Sequence, residues 1–138
     1  MKTLFDSVKT SAGFKTLAQA LANDALGDVL EGSGPFTLFA PTDEAFGKLP
    51  RNLAKDLLGD RNRLADVLRH HIADGAYSAR DLTGLSRLTT LQGDDLEVHS
   101  RDGQLYVDEA PLTEVDIEHS NGVLHKLGRV IVPEKFFY

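Results

Sequence analysis

Five histidines, His70, His71, His99, His119 and His125, are the side chains of this 138-residue chain best suited to hold a metal or carry a proton. Their spacing points to neither role. His70 and His71 are adjacent, so on a helix they diverge by about 100° and do not converge on one ion. No H-E-x-x-H or comparable ligand spacing is present. His99, His119 and His125 fall on separate strands or turns, whereas zinc wants four well-placed ligands. A hydrolase needs a serine or threonine beside a histidine and a carboxylate. Thr42, Asp43 and His71 supply those residue types, but Thr42 sits where a helix N-cap belongs and there is no G-x-S-x-G elbow. Gly32-Ser33-Gly34 precedes a strand rather than following one, the wrong order for a phosphate loop. The expectation is a protein without metal, cofactor or catalytic residue.

The elements that must position these residues follow from periodicity. Residues 3 to 31 carry three apolar stripes: Leu4, Phe5 and Val8; then Phe14, Leu17, Ala18 and Leu21; then Leu26, Val29 and Leu30. Phe36 to Ala40 is apolar apart from Thr37 and suits a strand buried on both faces, which Pro41 ends. Thr42 then caps a short helix with Asp43 and Glu44 in its first turn and Phe46 on its apolar side. A helix after Pro50 has a Leu53, Leu57, Leu58 stripe. Asp60 caps the next, where Leu64, Val67, Leu68 and His71 share a face and His70 points off it. Ser78 and Asp81 read as a capping arrangement.

From Leu85 the period becomes two. Asp102-Gly103 and Asn121-Gly122 mark turns, and the strands run to a final stretch from Val123 to Val132 that Pro133 ends. His125 shares a face with Val123 and Leu127, and Gly128 marks a bulge. Helices first and strands second indicate an α+β fold, with helices against an antiparallel sheet or small sandwich. The length fits one domain over residues 1–138, burying about two-thirds of its unfolded surface.

Composition narrows the function classes. The chain is 41% hydrophobic and 26% charged with a net charge of −6, which argues against a nucleic-acid or anionic-membrane binder. Zero cysteine removes disulfide and thiolate chemistry. No apolar run approaches the ~20 residues that span a bilayer, so no membrane insertion is expected. The first residues lack a signal-peptide apolar core, which leaves open a cytoplasmic protein or one whose leader has been removed.

Two stretches carry a family resemblance. F-T-L-F-A-P-T-D-E-A-F at 36–46 resembles the first signature of the fasciclin-like domain, and N-G-V-L-H-K-L-G-R-V-I-V-P at 121–133 resembles the second. The V-L-R-H-H-I segment at 67–72 between them fits the same family, and the likeness covers nearly the whole chain. It implies an antiparallel β-sandwich or wedge with helices clustered along one edge. Phe39, Thr42, Asp43, Phe46, Asn121, Gly122 and His125 are the structural motif positions. For function the resemblance implies adhesion: a non-catalytic extracellular, cell-surface or periplasmic module that binds a cell-surface or matrix protein or glycan. The alternative is an intracellular or periplasmic small-ligand or protein-binding module with no adhesion role. Two motifs described for animal members have counterparts here. The tyrosine-histidine motif falls on His70-His71, with histidine in place of tyrosine, and the Asp-Ile motif falls on Asp116-Ile117. These four are the candidate binding residues, through the 70–82 and 112–121 segments. The stripe position of His71 also implies burial, and the Thr42-Asp43 corner is its expected hydrogen-bond partner.

Overall fold

A computed structural model describes residues 3–22, 26–91 and 93–131, and within them the side chains of residues 54, 57, 58 and 61 lie outside the description. The Leu57 and Leu58 part of one expected stripe, and the expected stop at Pro133, therefore fall outside the described residues. Helices α1 (Leu4–Thr10), α2 (Lys15–Ala22) and α3 (Leu26–Glu31) come first. Strand β1 (Phe36–Pro41) leads into α4 (Asp43–Gly47), α5 (Arg51–Gly59) and α6 (Arg61–Arg69). Then follow β2 (Ile72–Asp74), α7 (Ala79–Thr83), β3 (Arg87–Thr89), β4 (Asp95–Arg101), β5 (Gln104–Val107), β6 (Ala110–His119) and β7 (Gly122–Leu127).

The caps form where side chains reach their own next turn. Thr42 accepts the Ala45 N–H, Asp60 accepts those of Asn62 and Arg63, and Ser78 and Asp81 close a reciprocal capping box. Asp102 and Gly103, both at positive φ, turn β4 into β5.

The seven strands form one sheet in the order β2-β1-β7-β6-β5-β4-β3. Two expectations are corrected here. The sheet is mixed, because β1 runs parallel to β7, with Phe36 opposite Gly122 and Pro41 opposite Leu127. It is also not a two-sheet sandwich. Ala73 of β2 bridges Thr90 just past β3, and the Leu91 N–H donates to the Ile72 carbonyl. The outermost strands thus approach each other and the sheet nearly closes into a barrel. The last strand ends at Leu127 rather than continuing to Val132, and Gly128 stands just beyond it, where a Cβ would fit tightly, 3.2 Å from side-chain carbons of Pro111 and Thr113.

Strand alternation divides the core in two. Leu38 and Ala40 of β1 and Leu124 of β7 face the helices, packing with Leu4, Leu17, Leu21, Leu30 and Leu68. Phe39 and Leu127 face the other way, among Leu82, Leu96, Val107 and Leu112. β1 is therefore buried on both faces, as its composition predicts. Its one polar side chain, Thr37, is fully buried and fully used: its hydroxyl donates to the Gly75 carbonyl and accepts the Tyr77 N–H.

Candidate functional site

The turn between β6 and β7 is the first place where a polar residue is held by distant elements. Asn121 is buried, and its Oδ1 accepts the Leu4 N–H at 2.9 Å. Its Nδ2 donates to the carbonyls of Leu30 and Gly32. Its own carbonyl accepts the Phe36 N–H. One side chain thus joins α1, the end of α3 and the turn that β1 meets. Gly122 beside it lies against the Phe36 carbonyl, where any Cβ would overlap.

Asp43 does more than complement its own helix. Its two carboxylate oxygens accept the N–H groups of Lys15 and Thr16, at 3.2 and 2.7 Å, and so cap the start of α2. Those bonds, the Thr16 backbone first, hold its carboxyl below the usual range despite partial desolvation.

His71 is fully buried, as its stripe predicts, but its partners are not at the Thr42-Asp43 corner. That expectation is corrected. Its Nδ1–H donates to the Val67 carbonyl at 2.7 Å, and its Nε2 accepts the Ile131 N–H at 2.9 Å. A carbonyl can only accept and an N–H can only donate, so the ring is neutral with its proton on Nδ1. Burial pulls its pKa from 6.5 down to about 4, and the neighbouring His70 adds to this against the Val67 bond and Asp108. Since Thr42, Asp43 and His71 bond to different groups, the geometry does not assemble a nucleophile, base and orienting acid from them.

His125 is the second buried clamp. Its ring stacks on Phe39 at 5.7 Å. Its Nε2–H donates to the Tyr77 carbonyl at 2.7 Å and its Nδ1 accepts the Asp116 N–H at 3.1 Å. Burial lowers its pKa, opposed by the Tyr77 bond and the Asp116 charge. Asp116 sits in an irregular stretch of β6 at φ 60°, and its Oδ1 accepts the Ala79 N–H at 2.7 Å. It is exposed, whereas Ile117 is half-buried against the helix-side core. His99 stacks on Tyr106 across β4 and β5, and the His119 Nδ1–H donates to the Ile117 carbonyl. Among the described residues no group of three or more His, Asp or Glu side chains is placed to hold a metal ion.

His70 differs most from its expected place. It points off the His71 stripe but is buried too, at 3% exposure, in the wall of a cleft of about 650 Å³. Its Nε2 faces Asp108 Oδ2 at 3.8 Å, and its Nδ1 has no hydrogen-bond partner among the described residues. Burial acts to raise the Asp108 carboxyl, but the His70 side chain and the Glu97 N–H outweigh it and leave the pKa lowered. Leu49 and Leu53, from the α4–α5 segment, and Val130 and Ile131 give the cleft apolar walls. Sequence reading missed this cleft. The available signal was carboxylates at both ends of one hairpin, Asp94, Asp95 and Glu97 before the turn and Asp108 and Glu109 after it.

Comparison with known proteins fits this geometry. The sequence model of the Fasciclin domain matches residues 12–133. Transforming growth factor-beta-induced protein ig-h3 of Sus scrofa is 38% identical over 133 residues, which cover 96% of this chain and 20% of that protein. The chain thus spans about a fifth of that relative. Protein sll1735 of Synechocystis is 34% identical over 96% of this chain and 98% of its own length. Cell surface glycolipoprotein MPB83 of Mycobacterium bovis is 33% identical over 93% of this chain and 61% of its own. A solved domain pair of the insect cell adhesion molecule Fasciclin I superposes with a TM-score of 0.84 at 19% identity, over 99% of this chain and 53% of that one.

Proposed function

The chain belongs to the fasciclin domain family, and from that membership we propose that it is a single adhesion-type module. It binds proteins or glycans at a cell surface or in a matrix, outside the cytoplasm, without catalysis. One observation supports the reading beyond membership: the two segments expected to meet a partner adjoin each other. The Asp116 carboxylate holds the start of α7, and His125 ties Asp116 to Tyr77. The 70–82 and 112–121 segments therefore present one supported face. It exposes Arg80, Asp81 and Thr83 beside Thr113, Glu114 and Asp116. Such a polar face suits a reversible contact rather than an obligate one.

In this reading the four motif residues divide their work. Asp116 stands where a partner can touch it. His71 and Ile117 act through the fold, by fixing the segments that follow them. His70 lines the cleft. The cell-surface relative and the adhesion molecule with the same fold support placing this chain among surface modules.

The test is adhesion of coated beads to cells or matrix. Beads carrying this protein should adhere better than beads carrying an unrelated protein of equal negative charge. Arg80→Glu, an exposed change on α7, should lower the adhesion. Adhesion equal to the control protein refutes the reading, and adhesion untouched by Arg80→Glu moves the contact off this face.

A further inference from the structure

We propose that the cleft holding His70 binds an aliphatic ammonium group, carried either by a lysine side chain or by a free alkylamine. The proposal is independent of the adhesion face, whose exposed residues on α7 and β6 do not line this cleft. Its volume of about 650 Å³ lies in the usual range for ligand sites. The acidic residues Asp95, Glu97, Asp108 and Glu109 line it, against the cations of Lys48 and Arg129. Lys48 already donates to the Gly128 carbonyl. Leu49, Leu53 and Val130 supply walls for a chain of methylene groups.

A cluster of acids alone would be an ordinary solvated rim. His70 makes it a site. Its ring is almost wholly buried in the cleft wall, yet its Nδ1 has no hydrogen-bond partner among the described residues. Buried polar atoms in folded proteins are almost always paired, so an orphan in the wall of a cleft points to a missing partner. The identity of that partner follows from Asp108. Its Oδ1 accepts the Glu97 N–H, which fixes the carboxylate, and its Oδ2 faces His70 Nε2. A carboxylate there favours the tautomer with the proton on Nε2. Nδ1 then offers a lone pair, and what it lacks is a donor. An ammonium brings three N–H donors and a positive charge, enough for the imidazole and the carboxylates together. A hydroxyl would serve the nitrogen and leave the charge unanswered, and an anion would be repelled.

The test is titration of the folded chain at pH 7.5, read by amide and histidine ring-nitrogen NMR. The probes are n-butylamine, n-butanol, butyrate, and a short peptide with a central lysine or norleucine. Butylamine and the lysine peptide should saturate, with the largest shifts at the His70 ring and the amides of Asp108 to Ala110. Butanol, butyrate and the norleucine peptide should not. Tighter binding of the peptide assigns the ammonium to a partner protein, and equal or weaker binding assigns it to a free amine. Asp108→Asn, which keeps the acceptor for Glu97 and tolerates the local φ of 52°, should weaken binding about tenfold, or ~1.4 kcal/mol. If that variant does not fold, Glu109→Lys on the exposed rim should abolish saturation. Wild-type affinity in either folded variant, or saturation by butyrate at the same nuclei, overturns the proposal.

Discussion

Acid should loosen this fold through His71, and the size of the effect can be worked out. The ring is fully buried, donates from Nδ1 and accepts at Nε2. A second proton would have to sit on Nε2, facing the Ile131 N–H. Its pKa falls from 6.5 to about 4. Between those values the unfolded chain binds more protons than the folded one, so stability rises with pH there. The contribution is complete above about pH 6.5 and is lost as pH falls toward 4. A shift of this size corresponds to about 3 kcal/mol. His125 and His119 are also lowered by burial and act in the same direction. The assay is urea denaturation of wild type and His71→Leu at pH 7.5 and pH 4.5. At pH 7.5 the variant should lose about 2–4 kcal/mol, chiefly for the stranded Ile131 N–H. At pH 4.5 the gap should narrow by about 2 kcal/mol, because wild type has lost most of what the clamp contributes. An equal gap at both pH values would refute the neutral-clamp argument, whatever the two absolute stabilities.

Three further changes probe other joints. Phe39→Ala, at a fully buried ring stacked on His125, should cost about 3–5 kcal/mol in chemical denaturation. Asn121→Ala strands the Leu4 N–H and two carbonyls, and at about 1–3 kcal/mol per unsatisfied buried group it should cost 3 kcal/mol or more, roughly. Asp43→Ala removes the cap of α2 and should cost about 1–2 kcal/mol, with amide exchange quickening first at Lys15 and Thr16.

What was legible in the sequence was mostly local. Thr42, Asp60 and Ser78 bond two or three residues ahead, so residue type and spacing were enough to place them. The burial of His71 followed from a helical stripe. Its partner did not, because Ile131 is brought to it by the topology of the sheet. The parallel course of β1 beside β7 was illegible for a related reason: a strand buried on both faces has the same composition whichever way its neighbour runs. Asp43 read correctly as a first-turn acid, but its carboxylate reaches another helix. Asn121 read as a turn residue and its side chain links three elements. The cleft escaped notice because its walls come from five separate stretches, and the orphaned nitrogen of His70 exists only once they meet.

The parallel pairing of β1 with β7 has a consequence for biosynthesis. β1 emerges from the ribosome before both of its neighbours, and of these β7 is the last strand of the sheet to be made. Until Leu127 is clear of the exit tunnel, one edge of the most apolar strand lacks its ladder, and the Asn121 link to α1 and α3 cannot form. Helices α1 to α3 must wait in a loose association for a partner separated from them by most of the chain. A contact pattern of this kind slows folding and lengthens the interval in which an apolar strand is open to other nascent chains. A chain stopped before Gly122 should therefore be a substrate for holdase chaperones, and its release should coincide with completion of the final hairpin.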